Sequence, residues 1–264
     1  MSGNWSDLRA RTGSGLAMVA VGALAIWLGG LPFIALAVLV TGLMIWELAA
    51  MTRPEGGARW PAVALGLTAA AALFVVVFGH LWFLTPLLIL PAALGSFATA
   101  RRDRAIFAAY AVLILLAGYA LVALRLGVGP EVILWLVCVI VASDVGGYFA
   151  GRALGGPKFW PSVSPKKTWS GTVAGWLGAA AVGGLFAAAG AGGLALVWLS
   201  PIVALAGQMG DIAESAIKRR MGVKDSSALI PGHGGVLDRF DALIGAAVVV
   251  LVLVPLMPQT LFGG

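Results

Sequence analysis

The chain has 264 residues, of which 61% are hydrophobic and 11% are charged, with a net charge of +6 and a mean hydropathy of +1.01. Soluble domains contain about 25% charged residues and about 45–50% apolar residues. A soluble core cannot bury this much apolar surface, so the composition excludes an ordinary soluble domain and predicts an integral membrane protein. The single cysteine excludes an internal disulfide.

Nine apolar runs are candidates for membrane-spanning helices, which need about 20 mostly apolar residues. The runs lie at about 15–30, 32–50, 60–78, 81–98, 105–124, 130–149, 171–190, 193–209 and 242–257. Tight hairpins are expected around Gly30, around His80 and between Gly190 and Gly193. The pattern predicts an all-α polytopic membrane protein with about nine transmembrane helices.

The lysines and arginines predict the orientation of these helices. If the N-terminus is cytoplasmic, 16 of the 17 basic residues fall in cytoplasmic segments and only Arg125 falls outside. An error in the number of spans would place basic loops on both sides of the membrane. We therefore expect a cytoplasmic N-terminus, an external C-terminus and a location in the inner or plasma membrane.

Two long polar loops, at about 150–170 and 210–241, separate apolar runs in the C-terminal half, and both are predicted to face the cytoplasm. The helices within 1–125 are expected to form a scaffold and an oligomer contact. Catalysis is expected within 126–264, because the loops lie there.

The charges of these loops favour phosphate chemistry. Residues 208–241 hold five acidic and five basic side chains, and residues 151–169 hold four basic side chains and no acid. A plain anchor for anionic lipid would be basic without the acids. Nucleotidyl transfer needs carboxylates for a metal ion and Lys or Arg for phosphate oxygens. The basic loop fits a phosphate-binding arm, with topology-setting charge as the alternative.

Two pairs of carboxylates are spaced to share a helix face. Asp211 and Glu214 lie three residues apart, and Asp238 and Asp241 repeat this spacing. Each pair could present two carboxylates to a hard cation such as Mg²⁺. A solvated helix face is the alternative for either pair taken alone.

Two further features of the C-terminal half are candidates for function. Asp144 lies near the end of an apolar run, where an ionisable group is a functional candidate by default; a helix-end ion pair with Arg152 is the alternative. The glycines from Gly232 to Gly235 can direct backbone N–H groups at phosphate, or can form a simple turn. Within that turn, His233 could donate to a phosphate oxygen or cap the turn.

Three strings in this half resemble the signature of the phosphatidate cytidylyltransferases, also called CDP-diglyceride synthetases. They are Ser215-Ala-Ile-Lys-Arg219, Lys224-Asp-Ser-Ser227 and Pro231-Gly-His-Gly-Gly-Val-Leu-Asp-Arg-Phe-Asp241. The order and spacing match throughout, so the resemblance is specific.

Two upstream blocks, 164–171 and 144–151, also look like family motifs. In the first of them Ser170 stands where the family usually has glutamate, which leaves this position without the carboxylate. The N-terminal half resembles the family only in its hydrophobic pattern.

The resemblance implies transfer of a cytidylyl group from CTP to phosphatidic acid, which gives CDP-diacylglycerol and pyrophosphate. It implies Mg²⁺, with or without a second, monovalent cation, and it implies membrane lipid as a partner and a homodimer. The net charge of +6 is explained by the topology, so no nucleic acid is expected as a partner. The residues assigned to catalysis are Asp144, Asp211, Lys224, Asp238 and Asp241. Those assigned to metal are Asp144, Asp211, Glu214, Asp238 and Asp241. Those assigned to substrate binding are Lys166, Lys167, Thr168, Trp169, Ser215, Lys218, Arg219, Gly232, His233, Gly234, Gly235 and Arg239.

The sequence alone leaves three alternatives open. Another membrane transferase would carry Asp-Gly-x-x-Ala-Arg or Asp-Asp-x-x-Asp, and neither string occurs. A transporter would carry ionisable residues in the middle of several spans, whereas Glu47 and Asp144 lie near the ends of theirs. A catalytically altered homologue is suggested only by Ser170.

Overall fold

The computed structural model describes residues 3–79, 82–161, 163–256 and 262. The α-helices are α1 (Gly3–Leu28), α2 (Gly30–Met51), α3 (Trp60–Phe78), α4 (Leu90–Phe97), α5 (Arg104–Gly127), α6 (Pro130–Leu154), α7 (Trp169–Ala188), α8 (Leu196–Met221) and α9 (Leu237–Leu256). Within the described residues, eight of them are long and apolar enough to cross a membrane by length and composition. The prediction of an all-α polytopic membrane protein is confirmed.

The fourth apolar run forms a shorter segment than the sequence pattern predicted. Trp82–Ile89 is an eight-residue 3₁₀-helix with Pro86 inside it, and it leads into the eight residues of α4. Because a 3₁₀-helix rises about 2.0 Å per residue and an α-helix about 1.5 Å, the two pieces together extend about 28 Å, close to the about 30 Å of a hydrocarbon core. The nine predicted spans are therefore eight long helices and one short segment of nearly sufficient length. The predicted hairpin at His80 lies outside the described residues.

The two polar loops are shorter than predicted. The helix α6 continues to Leu154, α8 continues to Met221, and α9 already begins at Leu237. Hydropathy underestimates such helices because their last turns are polar; Lys218, Arg219 and Arg220 occupy the last turn of α8, where cations complement the helix dipole.

A β-hairpin occupies most of the first loop, and the sequence pattern did not predict it. Its strands β1 (Lys158–Trp160) and β2 (Ser164–Thr168) pair antiparallel, with Lys158 opposite Thr168. This hairpin leads directly into α7, so its orientation determines where the lysines of β2 lie.

The chain divides into two compact units. The first contains Met1–Leu126 and Ile217–Phe240, and the second contains Gly127–Ala216 and Asp241–Gly264. The expected scaffold within 1–125 and catalytic region within 126–264 stay predictions. Residues 217–240 group with the N-terminal helices.

In the first unit, α2 packs closely on α3 through glycines. A Cβ atom on Gly66 would lie 2.8 Å from the carbonyl oxygen of Gly42. Small residues let helix backbones approach closely where lipid supplies no hydrophobic driving force. This contact holds α2, which carries the buried Glu47.

In the second unit, α6 packs on α7 along a seam of small residues. A Cβ atom on Gly147 would lie 3.3 Å from the carbonyl oxygen of Gly171, and one on Gly175 would lie 2.9 Å from that of Ser143. The seam places Asp144, the neighbour of Ser143, beside the start of α7.

A second seam joins α8 and α9 within the same unit. A Cβ atom on Gly207 would lie 3.3 Å from the carbonyl oxygen of Ala242, and one on Gly210 would lie 3.2 Å from the backbone nitrogen of Gly245. The backbone of Asp241 also packs against Gly210. The helix start that carries Asp241 is thereby held against α8.

Candidate active site

The second unit brings a lysine and two aspartates together. The Lys167 ammonium of β2 forms an ion pair with Asp211 of α8, and these side chains are 27% and 35% exposed. Asp144 is exposed on α6, and Lys167 and Asp211 are its charged neighbours. Asp211 also accepts a long hydrogen bond of 3.4 Å from the Ser215 hydroxyl. Four residues that the sequence assigned to the site therefore form one cluster.

Gln208 organises the helices around this cluster. Its side-chain nitrogen donates to the Ser143 hydroxyl at 3.1 Å, and its side-chain oxygen accepts from the Trp176 indole N–H at 3.2 Å. Its backbone carbonyl accepts from the Lys167 ammonium at 3.5 Å. Sequence reasoning did not single out Gln208, although a lone amide within an apolar run was the signal that could have found it.

Thr168 and Ser170 close the hairpin onto α7. Thr168 is buried and caps α7 by accepting from the Gly171 backbone N–H at 3.2 Å. The Ser170 hydroxyl lies 3.0 Å from that of Thr168 and donates to the Gly155 carbonyl. The serine that replaces the usual glutamate thus has a local structural contact. The neighbouring Trp169 is half-exposed and packs edge-on against Phe159, with ring centroids 4.8 Å apart.

The other predicted carboxylates of this unit differ in exposure. Glu214 is fully buried on α8, and Asp241 is half-buried in the first turns of α9. Across the described ranges, no group of three or more His, Cys, Asp or Glu side chains is placed to hold a metal ion. Arg152 donates to the Tyr148 hydroxyl at 2.9 Å, rather than forming the ion pair with Asp144 that was the alternative.

The first unit places Asp238 at the centre of a hydrogen-bond network. Its Oδ1 accepts from the Lys218 ammonium at 2.6 Å. Its Oδ2 accepts from the Ser226 backbone N–H and hydroxyl, both at 2.9 Å, and from the Gly235 backbone N–H at 2.7 Å. The Asp238 carboxylate therefore holds Ser226 and Gly235, which lie near the two ends of the loop 222–236, at the start of α9.

Glu47 reaches the same loop from α2. Its side chain is 0% exposed. It accepts from the hydroxyl groups of Ser227 and Ser226, at 2.6 and 3.2 Å. It also accepts from the backbone N–H groups of Val236 and Leu237, at 2.9 and 2.6 Å. Sequence reasoning treated Glu47 only as a charge near a helix end. The available signal was that it is the only charged residue in α2.

The glycine-rich turn is held on α1. The Ile230 backbone N–H donates to the Gly234 carbonyl at 2.7 Å, and Gly232 and Gly234 adopt positive φ of 75° and 85°, which favour glycine. The Nδ1 atom of His233 lies 2.8 Å from the Ser14 hydroxyl. The structure thus gives His233 a contact with α1.

The connection before α5 holds the end of α8. Arg102 donates to the Met221 carbonyl at 2.8 Å, and Arg220 pairs with Asp103 at 2.6 Å. Asp103 also accepts from the Ile106 backbone N–H at 3.1 Å. That N–H and the Arg220 guanidinium hold the pKa of Asp103 below its usual value.

Four of the sequence-assigned basic residues are exposed and accessible to an anionic ligand. They are Lys166 in the second unit and Arg219, Lys224 and Arg239 in the first.

The helices define a polytopic integral membrane protein, and its charged clusters pair carboxylates with ammonium or guanidinium groups. Residues 9–257 match the cytidylyltransferase family, and the chain belongs to that family.

Three relatives carry the name phosphatidate cytidylyltransferase. The protein from Brucella suis biovar 1 (strain 1330) is 47% identical over 139 residues, which are 50% of this chain and 51% of the relative. The protein from Helicobacter pylori (strain ATCC 700392 / 26695) is 44% identical over 45% of each chain. The protein from Bacillus subtilis (strain 168) is 39% identical over 42% of this chain and 43% of its own. The chain thus spans about half the length of the curated relatives it matches.

Proposed function

We propose that this protein transfers a cytidylyl group from CTP to phosphatidic acid and releases pyrophosphate, as an enzyme of phospholipid biosynthesis. Family membership and the names of the relatives support this proposal. The observation that carries it is the cluster of Lys167, Asp144 and Asp211, because it combines carboxylates with an ammonium group within one unit.

The reaction needs positioning and charge neutralisation more than an activated protein nucleophile. An oxygen of the phosphatidate phosphate attacks the α-phosphorus of CTP, the bond from that phosphorus to the bridging oxygen breaks, and pyrophosphate leaves with the electron pair. The attacking phosphate is already anionic, so no serine or cysteine has to be activated. Binding both anions close together and offsetting their charge supplies most of the catalysis.

The donor set of the second unit fits Mg²⁺. This ion is commonly bound through one or two protein carboxylates together with substrate phosphates and water. Asp144 and Asp211 supply two carboxylates, and in the structure the Lys167 ammonium provides the positive charge beside both. We propose Asp144 and Asp211 as the ligands, with Asp241 and Glu214 as further candidates. When bound, Mg²⁺ would neutralise charge on the CTP phosphates; a second, monovalent cation is proposed on the resemblance alone.

The lysines and arginines of the chain are proposed to bind phosphate oxygens, whereas the carboxylates are proposed to bind the metal ion. Lys167 would exchange its contact with Asp211 for a phosphate oxygen, and Lys166 lies exposed beside it in β2. Lys218, Arg219, Lys224 and Arg239 are the proposed phosphate contacts of the first unit. Asp238 keeps its proposed metal role from the resemblance, although in the structure both of its oxygens are engaged by hydrogen bonds.

The positions of the basic loops indicate which side of the membrane the site faces. We propose that it faces the cytoplasm at the inner or plasma membrane, with the acyl chains of the lipid remaining in the bilayer. A homodimer is proposed on the family resemblance alone.

The test uses purified protein in detergent with CTP, phosphatidic acid and Mg²⁺. We expect CDP-diacylglycerol and pyrophosphate in equal amounts, and a loss of at least about 10²-fold in Asp144→Asn and Asp211→Asn. Glu131→Gln is the matched control, because Glu131 is exposed in the first turn of α6, the helix that carries Asp144. No lipid-dependent pyrophosphate release from the wild-type protein would contradict the proposal.

A further inference from the structure

We propose that Glu47 of α2 is a positioning residue for the nucleotide: a buried anion that holds the segment from Ser226 to Leu237 in its binding conformation. The inference rests on the proposed function for the identity of the nucleotide, CTP. That Glu47 holds this segment is inferred from contacts within the first unit alone.

The residue before α9 supplies no cap to this helix. The first N–H groups of a helix have no partner inside the helix, and a Ser, Thr, Asp or Asn before the helix usually accepts from one of them. Here the preceding residue is Val236, whose aliphatic side chain has no acceptor. Glu47 accepts instead from the N–H group of Leu237, the first residue of α9, and from that of Val236 just before it, although it lies 190 and 189 residues away in sequence. The positive end of the α9 dipole also favours a carboxylate there.

Glu47 is also coupled to the ion pair of the signature, Lys218 with Asp238. The Ser226 hydroxyl lies 3.2 Å from Glu47 Oε2 and 2.9 Å from Asp238 Oδ2, so both carboxylates share one donor. Asp238 in turn accepts from Lys218 at 2.6 Å. A displacement of Glu47 would therefore change the position of the lysine assigned to phosphate.

A glycine of the signature, Gly235, lies against the Glu47 carboxylate. A Cβ atom on Gly235 would lie 2.6 Å from Glu47 Oε1 and would also collide with the Ser226 hydroxyl. Gly235 is thus required by the close approach of the loop to the Glu47 carboxylate. The resemblance assigned the same residue to substrate binding.

These contacts predict a particular kinetic signature. A carboxylate that holds a binding segment in place raises the populated fraction of the binding-competent form, and the apparent dissociation constant varies inversely with that fraction. Bound CTP would order the segment even without Glu47, so turnover at saturation should remain nearly normal. Loss of Glu47 should therefore raise KM for CTP and change kcat little.

The experiment compares Glu47→Gln with Glu55→Gln, which makes the same charge change at an exposed position just after α2. The glutamine side chain would present an NH₂ group to N–H donors, so we expect KM for CTP to rise at least about tenfold while kcat stays within about threefold. Hydrogen exchange at 226–237 should become faster, exchange within α6 should not change, and saturating CTP with Mg²⁺ should restore protection.

Each outcome decides the proposal. A fall in kcat with unchanged KM, or unchanged exchange at 226–237, would overturn the positioning role. If Glu47→Gln does not accumulate, Glu47→Asp retains the charge on a shorter side chain and should show a smaller shift of KM in the same direction; a normal KM there would also overturn it. If the wild-type protein makes no CDP-diacylglycerol, the proposed function fails, and the exchange rates alone then decide whether Glu47 holds the segment.

Discussion

The Lys167 ammonium of β2 forms an ion pair with Asp211, which lies on α8 more than 40 residues further along the chain. The contact is only partly exposed, so it is screened by solvent less than an ordinary surface pair. It fixes the hairpin to α8 and places positive charge beside Asp144. The properties of the proposed site depend on this arrangement.

Replacing Lys167 with Met should reduce CDP-diacylglycerol formation at least about 10²-fold, because it removes a phosphate contact and leaves two neighbouring carboxylates without their cation. Initial rates in detergent, together with the midpoint of an Mg²⁺ titration, measure the effect. Lys158→Met is the control, since Lys158 is exposed on β1 of the same hairpin. If Lys167→Met were as active as both Lys158→Met and the wild-type protein, the ion pair would have no part in catalysis.

Replacing Gly171 with Ala should destabilise the second unit by about 1–3 kcal/mol, because the added methyl group would be forced against the backbone of Gly147 at the closest point of the α6–α7 seam. Thermal unfolding in detergent measures the change. Gly184→Ala on the same helix is the control, because a Cβ atom there would lie 4.0 Å from its nearest neighbour, Val197. A similar Tm for both variants would contradict the close packing of α6 on α7.

Replacing Asp103 with Asn should lower Tm at neutral pH, because it removes the ion pair with Arg220 and weakens the hydrogen bond from Ile106. The pKa of Asp103 is lowered in the folded state, so its stabilisation is complete above the unfolded pKa and is lost as the pH falls through the folded pKa. The difference in Tm between wild type and variant should therefore shrink on acidification. Asp225→Asn, at an exposed loop position, removes the same charge and is the control for the change in Tm at neutral pH.

The segment Trp82–Phe97 should cross the membrane despite its length. In a variant without the native cysteine (Cys138→Ala), cysteines introduced at Ala58 and Ala100, both exposed, should react with a membrane-impermeant maleimide only from the cytoplasmic side. The physical reason is that the 3₁₀ half lengthens the segment to nearly the thickness of the core. Labelling of the two positions from opposite sides would mean that the segment does not span, and the C-terminus would then lie on the cytoplasmic side.

Local properties of the chain were enough to predict the class of protein and most of its helices. Hydropathy summed over about 20 residues identifies a span without knowledge of its neighbours, and the signature string from Pro231 to Asp241 carries the family resemblance by itself. Hydropathy placed the end of a helix too early where its last turn is polar, as at Lys218. It also did not reveal the 3₁₀-helix that contains Pro86.

The partners of the buried and half-buried polar groups were decided only by the tertiary structure. Gln208 and Glu47 look like isolated polar residues in apolar runs, and their roles appear only when Ser143, Trp176 and the loop 222–236 are packed against them. A buried polar group must find a partner wherever the fold supplies one, and for Glu47 the partners lie as far as 190 residues away. The sequence alone determined which acidic and basic side chains the two polar loops carry; packing decided that Lys167 pairs with Asp211, and that the Ser226 hydroxyl lies between the carboxylates of Glu47 and Asp238.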